Sequence, residues 1–350
     1  MKQNRYGNIE DIVREVSVVG TNGIMSHCHK VEMSSVGRSS TGVDLKSFMI
    51  GSEGCLGIIV SAVIKIWPIA ECRSHESVLL PNFTIGIRFM KDVSKLRAMK
   101  PASVRLLDND QFRLGQAMKV NTTKYASLRS HVAQKIAYQL GNFSEKSVVC
   151  VTIAFEGTFE EVKLQEKYIR QLASTYGGIL AGSNVGKAGY ALTFAIAYLR
   201  DFALNYKILG ESFETFVPWS KLSQVCCKTK QRIYMEHRSH ALPGAPFVCC
   251  RITQLYDDGA CVYFYFCMDI SGVKNPSNIF AEIEHSARQE ILIQGGTLSH
   301  HHGLGKRTGT LTRQIHSSGY VQALNSVKEA IDPKNTFGAR NGVFSVTDLS

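Results

Sequence analysis

Three consecutive histidines, His300, His301 and His302, form the densest group of proton-transferring side chains in this sequence. A neutral imidazole both donates and accepts a proton near pH 7, so three of them between glycines offer an acid, a base and a polarising group in one cleft. An extended strand would place His300 and His302 on one face and His301 on the other. An exposed basic turn is the alternative interpretation, because structural clusters of titratable residues also occur.

The same histidines are an unfavourable metal site when judged from sequence. Zinc needs three or four converging ligands, and adjacent residues rarely converge on one ion. No carboxylate or cysteine stands at helical spacing from the histidines to complete a ligand set. The following residues 303–306 (GLGK) lack the spacing of a P-loop, which excludes a nucleotide hydrolase. We therefore expect acid–base chemistry here and no metal.

Tyr263 is a second candidate for acid–base chemistry. It lies in a predicted strand over residues 261–268, on which Tyr263 and Tyr265 face the same way. A phenol on a central strand usually serves packing. Tyr263 therefore becomes a candidate only if the histidine segment lies beside its strand.

Two arginines are candidate anion-binding residues. Arg200 lies on the most apolar predicted helix, where a guanidinium needs an anionic partner. An ion pair of Arg200 with Asp201 or Glu211 is the alternative. Arg105 could likewise bind a substrate anion or pair with Asp108.

A glycine-rich segment, residues 51–57 (GSEGCLG), precedes a β-branched run that extends to residue 66. Glycines allow backbone amides to approach a ligand closely, and Glu53 is placed to accept a hydrogen bond from a hydroxyl or a ring N–H. A simple bend between two elements is the alternative.

Composition is that of an ordinary globular chain with room for two domains: 350 residues, of which 44% are hydrophobic and 20% charged. The 40 Lys and Arg exceed the 29 Asp and Glu by 11. A net charge of +11 suits an anionic substrate or an acidic membrane surface. No dense basic run with interleaved aromatics supports nucleic-acid binding.

The sequence contains no recognisable signal that specifies a cellular location. No apolar run approaches the roughly 20 residues of a membrane helix, and neither a signal peptide nor a terminal Ser-Lys-Leu is present. Cysteines in apolar, strand-like surroundings are typical of buried thiols in a reducing compartment. These cysteines are Cys150, Cys249, Cys250, Cys261 and Cys267.

Strands and helices that alternate after residue 77 must position the candidate residues. Strands are predicted at 148–155, 208–216, 247–253 and 261–268, after an early strand at 9–19. Helices are predicted at 159–176, 190–206, 218–234 and 276–293, the last ended by Gly295 and Gly296. This pattern predicts an α+β fold with a mostly antiparallel sheet covered on one face by helices. We expect a domain boundary near residue 72.

Several motifs resemble a known family. Residues 51–57 with the strand that follows are similar to the closing part of the PCMH-type FAD-binding domain in flavoproteins of the vanillyl-alcohol-oxidase type. More specific stretches resemble the alkyldihydroxyacetonephosphate synthase family, also called alkylglycerone-phosphate synthase. These are 198–201 (YLRD), 210–215 (GESFET), 259–266 (GACVYFYF), 296–303 (GTLSHHHG) and 327–335 (VKEAIDPKN).

The resemblance implies the activity and its setting. The family uses FAD to exchange the acyl chain of 1-acyl-dihydroxyacetone phosphate for a long-chain fatty alcohol. The exchange proceeds through a flavin N5 adduct without net oxidation, and it is the first ether-bond step of ether lipid (plasmalogen) synthesis. A peroxisomal homodimer with peripheral membrane contact is the expected form.

The resemblance also implies roles for individual residues and three segments of chain. Tyr263, His300, His301 and His302 would be catalytic, and Arg200 and Arg105 would bind substrate. Residues 1–72 would be the last part of the FAD-binding domain, 73–306 the substrate (cap) domain, and 307–350 a helical segment and tail returning to the active site. The expected cofactor-binding residues are Gly51, Ser52, Glu53, Gly54, Cys55, Leu56, Gly57, Ile58 and Ile59. The expected C-terminal activity segment is Ala339, Arg340, Asn341, Gly342 and Val343.

Family members carry a targeting signal and a pyrophosphate-binding loop before the stretch that matches Met1. We expect this chain to lack both, and therefore to hold FAD weakly. Two alternatives stay open: an FAD-dependent 2-hydroxy-acid dehydrogenase of the same fold, and a truncated, non-catalytic remnant that binds a lipid surface or a partner.

Overall fold

A computed structural model describes residues 2–26, 44, 46–118, 141–306, 308–338 and 341–346. The chain forms two compact units. The larger unit contains Met1–Tyr6 and Ile69–His300, and the smaller unit contains Gly7–Pro68 and His301–Ser350. This division differs from the expected three consecutive segments, because the first and last parts of the chain join in the smaller unit. The side-chain amide of Asn341, for example, donates to the backbone oxygen of Glu53 at 3.1 Å.

The described elements have the following bounds. The strands are β1 (Val13–Gly20), β2 (Gly23–Ser26), β3 (Ile58–Ile64), β4 (Cys72–Leu80), β5 (Ser103–Leu107), β6 (Val149–Gly157), β7 (Ile179–Leu180), β8 (Ile208–Pro218), β9 (Phe247–Leu255) and β10 (Gly259–Asp269). The helices are α1 (Gln3–Tyr6), α2 (Ile9–Ile12), α3 (Lys46–Met49), α4 (Phe83–Ser94), α5 (Asn109–Ala117), α6 (Phe159–Thr175), α7 (Ser183–Asn205), α8 (Leu222–Ser239), α9 (Pro276–Gln294), α10 (Gly309–Ile315) and α11 (Ser318–Ile331). Short 3-10 helices lie at Arg97–Met99 and Gly342–Val346.

A seven-stranded sheet forms the larger unit, in the order β7-β4-β6-β5-β9-β10-β8. All its paired neighbours are antiparallel. This confirms the predicted α+β class with a mostly antiparallel sheet.

One face of this sheet is apolar because alternate strand residues are large and hydrophobic. On β10 these residues are Val262, Phe264 and Phe266, all fully buried. Helices α4, α6, α8 and α9 cover this face with their own apolar residues, such as Ile169 and Ile283. The predicted helical covering of one face is therefore present.

The other face carries the intervening, mostly polar residues. Tyr263 on β10 stands opposite Glu214 of β8 and Arg251 of β9. Helix α7 crosses this face, where a side chain on Gly189 would meet Thr152 of β6 at 2.7 Å. The second face is therefore polar but partly covered, which is where a site for polar chemistry can form.

Most predicted elements are present, but some of their limits differ. Residues 9–12 form helix α2 instead of strand, because Asn8 and Asp11 form a capping box. Helix α7 starts at Ser183, directly after Gly182 with a φ of 91°, and not at residue 190. Helix α8 runs on to Ser239, beyond the predicted end at residue 234.

The smaller unit contains a three-stranded antiparallel sheet in the order β2-β1-β3. Its described core has two parts. Val13, Val16 and Val18 of β1 form one, and Cys55, Leu56 and Phe344 form the other.

The five predicted buried cysteines are free thiols. Four of them are buried, and Cys267 is half-buried. Among the described residues, no helix combines the length and the apolar character needed to cross a membrane.

Candidate active site

The segment before the histidines lies along the edge strand β8. Thr297 N donates to Phe216 O at 2.9 Å, and Phe216 N donates to the Thr297 hydroxyl, also at 2.9 Å. The Thr215 hydroxyl donates to Thr297 O at 2.6 Å. These bonds continue the sheet beyond β8 and carry the chain to His300.

Glu214 fixes the end of this segment. It projects from β8 onto the polar face and is fully buried. The Ser299 hydroxyl donates to Glu214 Oε1 at 2.6 Å, and the backbone N–H of His300 donates to Oε2 at 2.7 Å. A second residue orients the imidazole, since the Tyr256 hydroxyl lies 2.7 Å from His300 Nε2.

Tyr263 lies directly opposite Glu214 in the sheet. Its ring stacks on that of Tyr265, with centroids 6.1 Å apart. The Arg251 guanidinium lies 5.2 Å from the Tyr263 ring centroid and 5.3 Å from that of Tyr265, and it donates to the Tyr265 hydroxyl. Burial, with the neighbouring Cys261 and Tyr265, raises the pKa of the Tyr263 phenol. The phenol therefore stays protonated at neutral pH and is able to donate.

Glu214 thus lies next to two of the predicted catalytic residues: it stands opposite Tyr263 in the sheet and binds the backbone N–H of His300. The histidine segment lies beside β8 and not beside β10, the strand of Tyr263, so the expected direct neighbourhood of the two is not present and one strand lies between them. His301 and His302 belong to the smaller unit, where both are exposed and their rings lie 4.7 Å apart. The run of three histidines is therefore divided between the two units.

The two predicted substrate arginines differ in their surroundings. Arg105 is buried on β5, opposite Thr152 of β6. Its alternative partner Asp108 instead binds Lys230 at 3.0 Å and caps α5. Arg200 is half-exposed at 49% of its side chain and pairs with Asp201 at 3.3 Å and Glu211 at 3.1 Å. Arg200 thus forms the ion pairs that were given as its alternative role, with both Asp201 and Glu211 as partners.

Sequence reasoning missed the roles of Glu214 and Arg251. Arg251 is the single charged residue of β9, and Glu214 is one of two glutamates on β8, directly between Phe213 and Thr215. A charge in such a strand is expected to be paired or functional, since burying it alone is costly. Arg251 is 7% exposed, and its Nε has no hydrogen-bond partner among the described residues.

In the smaller unit, Glu53 has a different role from the one expected. Its carboxylate accepts from the backbone amides of Leu304 at 2.6 Å and Gly305 at 2.8 Å. Its own backbone has a left-handed φ of 51°. Both carboxylate oxygens therefore hold the loop that follows the histidines.

The predicted cofactor-binding segment, residues 51–59, combines open and packed positions. Gly51 and Gly54 have φ values of 87° and 79°, with open space where a side chain would project. Ser52 and Gly57 are buried. Cys55 and Leu56 pack in the core beside Phe344, so their side chains serve folding. Ile58 and Ile59 are exposed at the start of β3.

The C-terminal segment returns to the same part of the smaller unit. Gly342 N donates to Gly305 O at 3.0 Å, and the half-buried Val343 packs against the core of Cys55 and Leu56. Asn341 holds Glu53, as described above. Ala339 and Arg340 lie outside the described residues.

These positions allow a test of whether the smaller unit fits a flavin cofactor. The open backbone at Gly51 and Gly54 can approach a flat or phosphorylated group, which a side chain would prevent. Some backbone groups of the segment already have partners within the chain, since the amides of Ser52 and Cys55 donate to Met49 O and Ser52 O. The open approach at Gly51 and Gly54 still fits a cofactor that contacts the backbone there.

Comparison with known proteins identifies similar chains. Residues 70–341 match the family described as FAD linked oxidases, C-terminal domain. Alkyldihydroxyacetonephosphate synthase of Caenorhabditis elegans is 40% identical over 97% of this chain and 56% of its own length. The Dictyostelium discoideum enzyme of the same name is 26% identical over 97% of this chain and 54% of its own. The chain thus spans about half the length of these relatives.

The fold has a counterpart among solved structures. An alkyldihydroxyacetonephosphate synthase superposes with a TM-score of 0.73 at 24% identity, covering 95% of this chain and 55% of that one. Together with the sequence relatives, this confirms the resemblance inferred from the motifs.

Proposed function

The chain belongs to the family of FAD-linked oxidases, whose C-terminal domain it carries over residues 70–341. From this membership and its similarity to proteins named alkyldihydroxyacetonephosphate synthase, we propose that the protein is an FAD-dependent alkyl transferase. In this proposal it exchanges the acyl chain of 1-acyl-dihydroxyacetone phosphate for a long-chain fatty alcohol, in the first ether-bond step of ether lipid synthesis. The observation that carries it is the buried Glu214, which stands opposite Tyr263 in the sheet and accepts a hydrogen bond from the backbone N–H of His300.

Binding of the substrate phosphate is assigned to buried guanidinium groups. Arg251 supports this role because its buried Nε lacks a partner among the described residues, which favours an anionic ligand. Arg105 supports it through its burial on the same polar face. The two carboxylates around Arg200 already neutralise its charge, so we give Arg200 a surface role.

Proton transfer is assigned to Tyr263 and His300. Because the pKa of Tyr263 is raised by burial, the phenol stays protonated and can donate a hydrogen bond to a departing carboxylate, and an imidazole can take a proton from an incoming alcohol. Glu214 fixes the backbone of His300, and Tyr256 orients its ring. When bound, FAD supplies a ring that can donate and withdraw an electron pair at the reacting carbon.

Setting and assembly form part of the same proposal. The family resemblance supports a peroxisomal homodimer. The net charge of +11 supports peripheral contact with an anionic lipid surface, from which a long-chain alcohol can be taken.

The proposal is tested by incubating the purified protein with FAD, 1-acyl-dihydroxyacetone phosphate and radiolabelled hexadecanol. Labelled alkyl product is expected. Tyr263→Phe should lower the rate by about 100-fold or more, because general acid–base groups contribute about 10²–10⁴-fold. The control Tyr234→Phe removes a phenol from the partly exposed surface of α8 and should leave the rate unchanged.

Three outcomes would contradict the proposal. Full exchange by Tyr263→Phe would remove this phenol from the mechanism. Oxidation of D-lactate with reduction of an electron acceptor, without alkyl exchange, would favour the dehydrogenase alternative. If the protein is mixed with FAD and the unbound FAD is then removed, absence of flavin absorbance in the protein fraction would favour the non-catalytic remnant.

A further inference from the structure

Three residues of the larger unit, contributed by separate parts of the chain, belong to a cluster of potential metal ligands. Glu214 lies on β8, Cys261 on β10, and His300 follows α9. Their ligand atoms all lie within 4.8 Å of one another. We propose that Glu214, Cys261 and His300 bind a thiophilic divalent cation of the zinc type. This goes beyond the proposed function and does not depend on it.

The types of ligand argue for zinc over the harder cations. Thiolate and imidazole favour zinc, whereas magnesium and calcium select oxygen ligands. A carboxylate, a thiolate and an imidazole are each common zinc ligands, and three protein ligands leave a fourth position for water or another group. Chemistry of the donor set thus selects the class of ion.

The geometry needs only small side-chain movements. Zinc binds sulfur at about 2.3 Å and nitrogen or oxygen at about 2.0–2.2 Å, so ligands on one tetrahedral ion lie roughly 3.3–3.8 Å apart. Separations within 4.8 Å come close to this range. Strand pairing and the hydrogen bonds around His300 hold the backbones in place, so little conformational entropy is lost on binding.

Surrounding contacts resemble the outer shell of a metal site. Histidines that bind metals usually form a hydrogen bond through the other ring nitrogen, which fixes the ring orientation. In this structure the Tyr256 hydroxyl lies 2.7 Å from His300 Nε2. The Ser299 hydroxyl likewise orients the Glu214 carboxylate.

Charge balance is satisfied on binding. The buried Cys261 thiol releases its proton to solvent, and the thiolate with the Glu214 carboxylate offsets the two charges of the ion. No oxidant or reductant takes part. His300 cannot transfer a proton while it binds a metal, so in an enzyme with the proposed function Zn²⁺ would inhibit the exchange.

Cobalt(II) is a spectroscopic probe for this site. One equivalent of Co²⁺ added to the reduced, FAD-free protein should produce a thiolate-to-cobalt charge-transfer band, and Zn²⁺ should abolish it by competition. Cys261→Ser should lose the band. The control Cys267→Ser removes a half-buried thiol from the same strand and should retain it. Glu214→Gln and His300→Ala should each weaken cobalt binding at least tenfold.

Two results would overturn the proposal: no band in the unaltered protein, or a band that persists in Cys261→Ser. If circular dichroism shows that Cys261→Ser does not fold, the test relies on Glu214→Gln and His300→Ala. Unchanged affinity for Co²⁺ in both variants then overturns the proposed site. The readout requires neither flavin nor catalysis. A failure of the proposed function therefore leaves this test intact.

Discussion

Two glutamates, one in each compact unit, hold the chain on either side of His301 and His302. Glu214 in the larger unit accepts from Ser299 and His300, and Glu53 in the smaller unit accepts from the amides of Leu304 and Gly305. Glu214 projects from a regular strand and is fully buried. Glu53 stands in a left-handed turn and is half-buried.

The difference shows two ways of placing a carboxylate. In the larger unit, strand register aligns Glu214 with Tyr263, so one residue both holds a loop and stands beside a candidate catalytic group. In the smaller unit, glycines and a buried ion pair set the backbone, and the Glu53 carboxylate accepts from the backbone amides of Leu304 and Gly305. Chemistry is therefore expected from side chains in the larger unit and from backbone atoms in the smaller unit.

The largest effect should come from the ion pair beneath the glycine segment. Lys328 donates to Asp332 at 2.5 Å and to Cys55 O at 2.7 Å, with both charged side chains buried. Burial alone would raise the pKa of Asp332, but hydrogen bonds from Lys328, Phe337 and Thr336 lower it to about 2. Lys328→Met leaves this carboxylate buried without its cation and should destabilise the smaller unit by about 3–5 kcal/mol.

Urea unfolding measures this loss. The control Lys334→Met removes an exposed lysine from the same region and should change the free energy of unfolding by less than about 0.5 kcal/mol. Equal effects of the two variants would show that the buried pair does not support the glycine segment.

The next largest effect concerns the backbone of that segment. A side chain on Gly57 would lie 2.6 Å from Val18 Cγ1 and 2.9 Å from Val19 O, and its φ is 148°. Gly57→Ala should therefore cost about 3 kcal/mol, from overpacking and strain together. The control Gly54→Ala has a φ of 79° but open space around it, and should cost about 1 kcal/mol. Thermal unfolding compares the two, and the reverse order would refute a close approach at Gly57.

A direct comparison of the two glutamates should give an intermediate effect. Glutamine keeps one acceptor oxygen but presents its amide NH2 group, a donor, to the other donor, which stays unsatisfied. In Glu214→Gln water cannot replace the lost acceptor, so the cost should be about 2–3 kcal/mol. Glu53 is half-buried, so Glu53→Gln should lower the free energy of unfolding by only about 1 kcal/mol. Equal losses in chemical denaturation would mean that burial does not distinguish the two sites.

The smallest effect is expected at Arg200. Its ion pairs with Asp201 and Glu211 are exposed, and exposed pairs contribute about 0–1 kcal/mol. Arg200→Gln should shift the free energy of unfolding by less than about 0.5 kcal/mol and leave alkyl exchange near its original rate. A large loss of exchange with unchanged stability would return Arg200 to the substrate site and weaken the assignment of Arg251.

Local patterns predicted much of the fold. The alternation in β10 and the glycine end of α9 both agree with the structure, since strand pleating and helix termination depend on neighbouring residues. The predicted start of the first strand at residue 9 was wrong, because residues 9–12 form helix α2 behind a capping box and β1 begins only at Val13. In the candidate site, Tyr263 and His300 were predicted, whereas Glu214 and Arg251 were not. Their roles depend on which strands become neighbours.

The sequence by itself determined the α+β class, the family and the residues able to transfer protons, because these follow from periodicity, motifs and side-chain chemistry. Only the tertiary structure decided how those residues are grouped. It brought Glu214 and Cys261 to His300 from far along the chain, assigned His301 and His302 to the other unit, and left Arg200 at the surface. The physical reason is that antiparallel pairing joins distant strands, and no spacing along the sequence encodes which strands will pair.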